Sequence, residues 1–201
     1  MKQKVLFILL NEFADWESAY LAPVLRTGIM HDSQTNYEVK TVAPTLEDVV
    51  SIGGFRVKPD YSFDSIPEDY AALVLVGGNR LDSDEAKPIE TIVRKAIAQH
   101  RVVGGICNGA SFLASRGFLN NVKHTGNGLK QLKLWGGENY SNAAGFIKKQ
   151  AVSDNNIVTA NGTGVLEFTK ELLLLLNVDT KERIEIFYAF HKNGFYTFCK
   201  E

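Results

Sequence analysis

Three short stretches, VLFILL (residues 5–10), ALVLV (72–76) and VVGGI (102–106), are apolar at every position, with no alternation between faces. A strand reads this way when both of its faces are buried, the situation of a parallel sheet with helices packed on each side. Segments with helical spacing lie between and after these runs. DWESAYLAPVLRTG (15–28) brings Trp16, Tyr20, Leu21, Val24 and Leu25 onto one face, with Asp15 as its N-cap, Gly28 as its stop and Pro23 expected to kink it or remove a hydrogen bond. Further helices are predicted over 86–99, 108–115, around 129–135, over 164–176 and over 180–192, where Gly194 ends the last. Further strands are predicted over 37–43, 150–153 and 157–160, with a small hairpin at 49–60 turning on Gly53-Gly54. Strands that alternate with helices, joined by right-handed crossovers, predict a three-layer α/β/α sandwich with a mostly parallel sheet. With 201 residues and no internal repeat or linker, the chain is expected to form one domain, 1–201.

Composition narrows the partners. A net charge of -1 supplies no basic field for nucleic acid or anionic lipid. The apolar run 5–10 is too short for a signal-peptide core or a membrane span, so a cytoplasmic location is expected. The two cysteines, Cys107 and Cys199, form no disulfide framework and no Cys/His cluster of zinc spacing, and no metal or organic cofactor is expected.

In parallel α/β sheets, ligands bind beyond the carboxyl ends of the strands. Three features fall at that edge: Glu17 after the first strand, Gly77-Gly78 after the 72–76 strand, and Cys107 after the 102–106 strand. Gly105-Ile106-Cys107-Asn108-Gly109 fits the nucleophile-elbow pattern, in which flanking glycines relieve the crowding of a sharp strand-to-helix turn. The helix that follows points its N–H groups at the sulfur, which favours thiolate. The backbone N–H groups of Asn108 and Gly78 are the candidate oxyanion donors. Spacing alone reads Glu17 equally well as a site residue or as an exposed first-turn glutamate. A cysteine merely packed under a helix is the plain alternative for Cys107.

The stretches FADWESAYL (13–21), LVLVGGN (73–79), GGICNGASFLASRGFLNNVKHTGN (104–127) and IVTANGTGVLEFTKELL (157–173) resemble the DJ-1/PfpI family, the intracellular protease/amidase branch of the class I glutamine-amidotransferase-like superfamily. The resemblance runs over nearly the whole chain. It implies a flavodoxin-like sandwich, a homodimer, Cys107 as the reactive thiol, and Glu17 as a protonated carboxyl hydrogen-bonded to the thiolate. It also implies Gly78 and Asn108 as the oxyanion hole. Two bases that many members carry are absent: Asn127 stands at the position of a later histidine and Asn108 at that of a histidine after the nucleophile. Asparagine orients and hydrogen-bonds a ligand but takes no proton at neutral pH. Glu17 is left as the base for Cys107.

Of the four histidines, His31 and His100 are expected at the opposite edge of the sheet or at helix C-termini. His191, in or after the last helix, has no assigned place. His124 is expected on the surface, with an active-site role as the alternative. His191-Lys192-Asn193 lacks the late H-x-E of glutamine amidotransferases, which disfavours glutaminase activity. An α/β-hydrolase reading would require His191 as its base. Asn127, His124 and Asn79 are the candidate substrate contacts, and Cys199 lies in an aromatic tail expected to pack on the domain or on a second copy.

The expected function is a cysteine-dependent hydrolase-like enzyme, amidase/protease-like or glyoxalase/deglycase-like, acting on a small-molecule or peptide substrate. A redox or electrophile sensor that works through Cys107 oxidation, with a role in stress response, is the main alternative, and a binding domain that keeps the elbow as architecture is another.

Overall fold

The computed structural model describes residues 2–29 and 35–198; His31 and Cys199 lie outside the described residues. Seven strands form one sheet: β1 (Gln3–Ile8), β2 (Tyr37–Ala43), β5 (Tyr61–Ser62), β6 (Tyr70–Leu75), β7 (Val102–Ile106), β8 (Ala151–Asp154) and β9 (Ile157–Ala160). Their order is β5-β2-β1-β6-β7-β9-β8. Every pairing is parallel except β8 with β9, the strands expected at 150–153 and 157–160. The small hairpin on Gly53-Gly54 is present as β3 (Val49–Val50) paired with β4 (Arg56–Val57).

The all-apolar runs are explained by two cores. Along β1, Val5, Phe7 and Leu9 enter one core while Leu6, Ile8 and Leu10 enter the other. On β6, Val74 and Val76 join the first, Leu73 and Leu75 the second. Helices α1 (Leu21–Thr27), α5 (Val165–Leu175) and α6 (Lys181–Asn193) cover the first face, sending in Leu25, Phe168, Leu172 and Phe187. Helices α2 (Ile89–Ala98), α3 (Asn108–Ser115) and α4 (Leu129–Gly136) cover the second, through Val93, Phe112 and Leu132. The result is the expected flavodoxin-like α/β/α sandwich.

Two details of the first helix differ from expectation. Residues 15–17 form a separate 3-10 turn, and α1 begins only at Leu21. Asp15 is therefore no N-cap; its carboxylate instead accepts from the N–H of Gly53 at 2.8 Å, tying the turn to the β3–β4 hairpin. Pro23 falls in the first turn of α1, a place where proline is tolerated, one residue after Ala22 donates its N–H to Ser18 O at 3.0 Å. Gly28 and Gly194 stop α1 and α6 with positive φ, as read. The aromatic tail adds a short helix, α7 (Phe195–Phe198), whose Phe195 and Phe198 rings meet Phe190 of α6 edge-on.

The approach of α3 to β6 admits no side chain at Gly109: a Cβ there would lie 2.4 Å from the carbonyl oxygen of Leu75. Gly109→Ala should therefore destabilise the fold by about 3 kcal/mol, the upper range for overpacking, because backbone rather than a flexible side chain must yield. Urea unfolding of this variant beside Ala110→Gly, a helix-propensity control in the same turn, measures it.

Candidate active site

β7 ends at Ile106 and α3 begins at Asn108, leaving Cys107 alone to turn the chain. Its φ of 55° and ψ of -121° lie outside the ordinary regions for a side-chain-bearing residue. The Cys107 N–H donates to Ala160 O of β9 at 3.0 Å, which pins the turn to the sheet edge.

Glu17 reaches the same point from the 3-10 turn after β1. It is 1% exposed. Its Oε2 accepts from the N–H of Gly77 at 2.6 Å, and Oε1 has no hydrogen-bond donor among the described residues. A Cβ on Gly77 would meet Oε2 at 2.6 Å and the Cβ of Cys107 at 2.8 Å, so only glycine leaves room for carboxyl and thiol side by side. Of the two readings left open for Glu17, the exposed first-turn glutamate is ruled out.

The electrostatics follow from this burial. Desolvation pushes the Glu17 carboxyl up to about 7, against the opposing pull of the Cys107 thiol and the Gly77 N–H. The Cys107 thiol is also raised, first by burial and then by the negative charge of Glu17, with the Asn127 amide and the Asn108 N–H working the other way. The thiolate-favouring effect expected from α3 is present but outweighed. Near neutral pH the thiol keeps its proton while the carboxyl is close to half-protonated, and the two groups titrate as a coupled pair.

Asn127 supplies the third contact. Its Nδ2 donates to Cys107 Sγ at 3.2 Å, while its Oδ1 accepts from the N–H of Gly162 at 2.9 Å. The second bond fixes which end of the amide faces the sulfur. Gly162 is itself held from outside, its carbonyl accepting from the indole of half-exposed Trp16 at 3.3 Å. Asn108 turns its side chain away from the sulfur: Nδ2 donates to Gly78 O at 2.8 Å and Oδ1 accepts from Gln131 at 2.9 Å. The N–H of Gly78 has no partner among the described residues.

Other sequence candidates lie elsewhere. His124, expected on the surface, is completely buried. Its Nδ1 lies 2.8 Å from the Val122 carbonyl and its Nε2 2.6 Å from the Tyr140 hydroxyl, and burial lowers its pKa. With both nitrogens engaged inside the protein, it anchors the loop that carries Asn127 and offers nothing to a substrate. Asn79 is exposed, and its amide donates to Glu12 at 3.2 Å, bracing the loop after β1. His100 follows α2 at the far edge of the sheet, where its carbonyl accepts from Asn156. His191 lies on α6 among Tyr20, Phe187 and Phe190. Gly162 and Gln131 had no assigned role in the sequence reading. The edge rule that singled out Cys107 could have found Gly162, which follows the carboxyl end of β9.

Two consequences are measurable. Glu17 holds its proton more tightly folded than unfolded, so its contribution to stability is full below about 4.5, the ordinary carboxyl value, and is lost as pH rises through about 7. Glu17→Gln should therefore gain thermal stability relative to the parent at pH 8.5 and lose that advantage at pH 5; parallel pH dependence in both proteins would refute the buried-carboxyl account. In alkylation against pH, the Cys107 midpoint should lie above that of a free thiol, fall in Glu17→Gln and rise in Asn127→Ala.

Comparison with known proteins identifies the family. The DJ-1/PfpI family matches residues 3–175. A protein of Bacillus subtilis (strain 168) named "Uncharacterized protease YdeA" is 38% identical over 198 residues, covering 98% of this chain and 95% of its own. The crystal structure of a ThiJ/PfpI family protein from Bacillus anthracis superposes with a TM-score of 0.90 at 30% identity, covering 98% of this chain and 94% of that one. The DJ-1 superfamily protein Atu0886 from Agrobacterium tumefaciens gives 0.82 at 34% identity, over 94% and 99% of the two chains. On the family match and these relatives together, the chain belongs to the DJ-1/PfpI family.

Proposed function

We propose that the protein is a cysteine-dependent enzyme, hydrolase- or glyoxalase-like, in which Cys107 adds to the carbonyl carbon of its substrate and Glu17 moves the proton. The observation that carries this reading is the buried carboxyl beside the thiol, raised to about 7 and poised to exchange a proton at neutral pH. As the S–C bond forms, the thiol proton passes to the Glu17 carboxylate and the carbonyl π pair moves to oxygen. The N–H groups of Asn108 and Gly78 are the donors for that oxyanion. Glu17 then returns the proton. Given to the oxyanion, it yields a hemithioacetal; given to a departing amine or alcohol, it leaves a thioester that water hydrolyses. No histidine is needed for these steps, which is consistent with Asn127 at the sulfur. The word "protease" in the Bacillus subtilis relative's name supports the hydrolytic side of the reading.

A second reading has its own support. The Asn127 amide, the Asn108 N–H and a protonated Glu17 surround Sγ with donors suited to a sulfinate, formed as two equivalents of peroxide each oxidise the sulfur by two electrons.

The test is turnover of p-nitrophenyl esters and 2-oxoaldehydes in a Cys199→Ser background. Cys107→Ser should abolish it and Glu17→Gln should lower it by about 10²-fold or more. Turnover that survives Cys107→Ser would remove the enzyme reading. Absence of turnover together with stoichiometric conversion of Cys107 to sulfinate by peroxide would favour the sensor.

A further inference from the structure

A cavity of about 560 Å³ opens beside the nucleophile at the carboxyl edge of β9. Asn127 is a wall of this cavity and also donates to Cys107 Sγ at 3.2 Å, so the space begins one side chain from the sulfur. Lys148, Lys149, Gln150, Asn161 and Thr163 also line it, and no aspartate or glutamate does.

The polar neutral groups there are largely committed to one another. Asn161 Nδ2 donates to Gln150 Oε1 at 2.7 Å, Gln150 Nε2 to Thr163 Oγ1 at 3.2 Å, and the Thr163 hydroxyl to Asn161 Oδ1 at 2.7 Å. The two ammonium groups are not: neither Lys148 nor Lys149 has an ion-pair partner among the described residues. In the neighbouring depression, which Lys149 also lines, Glu167 is held by Lys192 at 2.8 Å and Tyr188 at 2.9 Å, while Glu171 lies 4.0 Å from Lys170. The backbone under Lys149 is fixed, its carbonyl accepting from Thr125 Oγ1 at 2.9 Å and its N–H donating to Ile147 O at 2.9 Å. The loop is thus anchored, and what it presents to a ligand is unneutralised positive charge.

We infer that this cavity is an anion subsite, and that the substrate is a carbonyl or acyl compound carrying a carboxylate or phosphate that Lys148 and Lys149 hold while its carbonyl carbon lies over Cys107. The inference rests on Cys107 being the nucleophile, and the experiment separates the two claims. Iodoacetate and iodoacetamide deliver the same carbon to sulfur, one with a carboxylate and one without. In the Cys199→Ser protein, Lys148→Gln/Lys149→Gln should slow alkylation of Cys107 by iodoacetate about five- to tenfold, with the iodoacetamide rate nearly unchanged. The difference should shrink as salt is raised. A control pair of equal charge change at the opposite edge of the sheet, Lys2→Gln/Lys181→Gln, should leave the ratio of the two rates as it was. An unchanged ratio in Lys148→Gln/Lys149→Gln, with Cys107 reactive, overturns the anion subsite and spares the nucleophile. If Cys107 reacts with neither reagent, the nucleophile reading falls, and the subsite is decided by titration of the backbone amides of Asn127, Lys149 and Thr163 with acetate and, separately, with inorganic phosphate. Saturable shifts lost in the double variant support it and tell carboxylate from phosphate; shifts that do not saturate with either overturn it.

Discussion

The chain passes from β7 into α3 through one residue, and the site is arranged around that turn. Cys107 takes a positive φ because Ile106 is still paired with β9 and Asn108 already begins a helix. The turn is sustained from both sides: Ala160 holds the Cys107 N–H, and Gly109 lets α3 sit against the backbone of Leu75. Strain of this kind persists only where surrounding packing over-determines it. β7 is buried throughout and α3 is buried from Gly109 to Ala114, and the two cores on either side of the sheet supply the constraint.

The same burial sets the chemistry. A carboxyl on the surface would be ionised and a thiol beside a helix N-terminus would lean toward thiolate. Removed from water beside each other, both are pushed up, Glu17 to about 7 and Cys107 above its ordinary value. Burial of both groups, and for Cys107 the negative charge of Glu17, outweigh the donors from Gly77, Asn108 and Asn127. The pair therefore holds its protons to higher pH than two isolated groups would. Asn127 contributes a fixed dipole rather than a base, its direction set by the N–H of Gly162. That leaves Glu17 as the group next to the sulfur that titrates near neutral pH.

His124 shows how proximity in sequence misleads. It precedes Asn127 by three residues, yet its ring points into the core between Val122 and Tyr140. The loop 124–127 needs an internal anchor before it can present Asn127, and the histidine is that anchor. Pro23 makes a similar point: helical spacing starts at Trp16, but a 3-10 turn over 15–17 delays α1 until proline falls in its first turn.

Much of this protein was legible in the sequence. The two-sided apolar runs dictated a covered parallel sheet, because an all-apolar strand has no face to give to water, and β2, β7, β9 and α3 fall on the residues read for them. Glycines on either side of Cys107 marked the elbow, since no other residue fits where helix and strand backbones touch. The edge rule brought Glu17, Gly78 and Cys107 to one end of the sheet. Local pattern could not reveal what depends on distant segments meeting. The burial of Glu17 requires Gly77, sixty residues away, to donate its N–H. The orientation of Asn127 requires Gly162, the fate of His124 requires Tyr140, and the uncommitted charge of Lys148 and Lys149 is visible only once the neighbouring acids are seen paired elsewhere. Desolvation and hydrogen-bond direction are properties of neighbours in space, so the tertiary structure alone decided how Glu17 and Cys107 titrate and which charge faces the cavity.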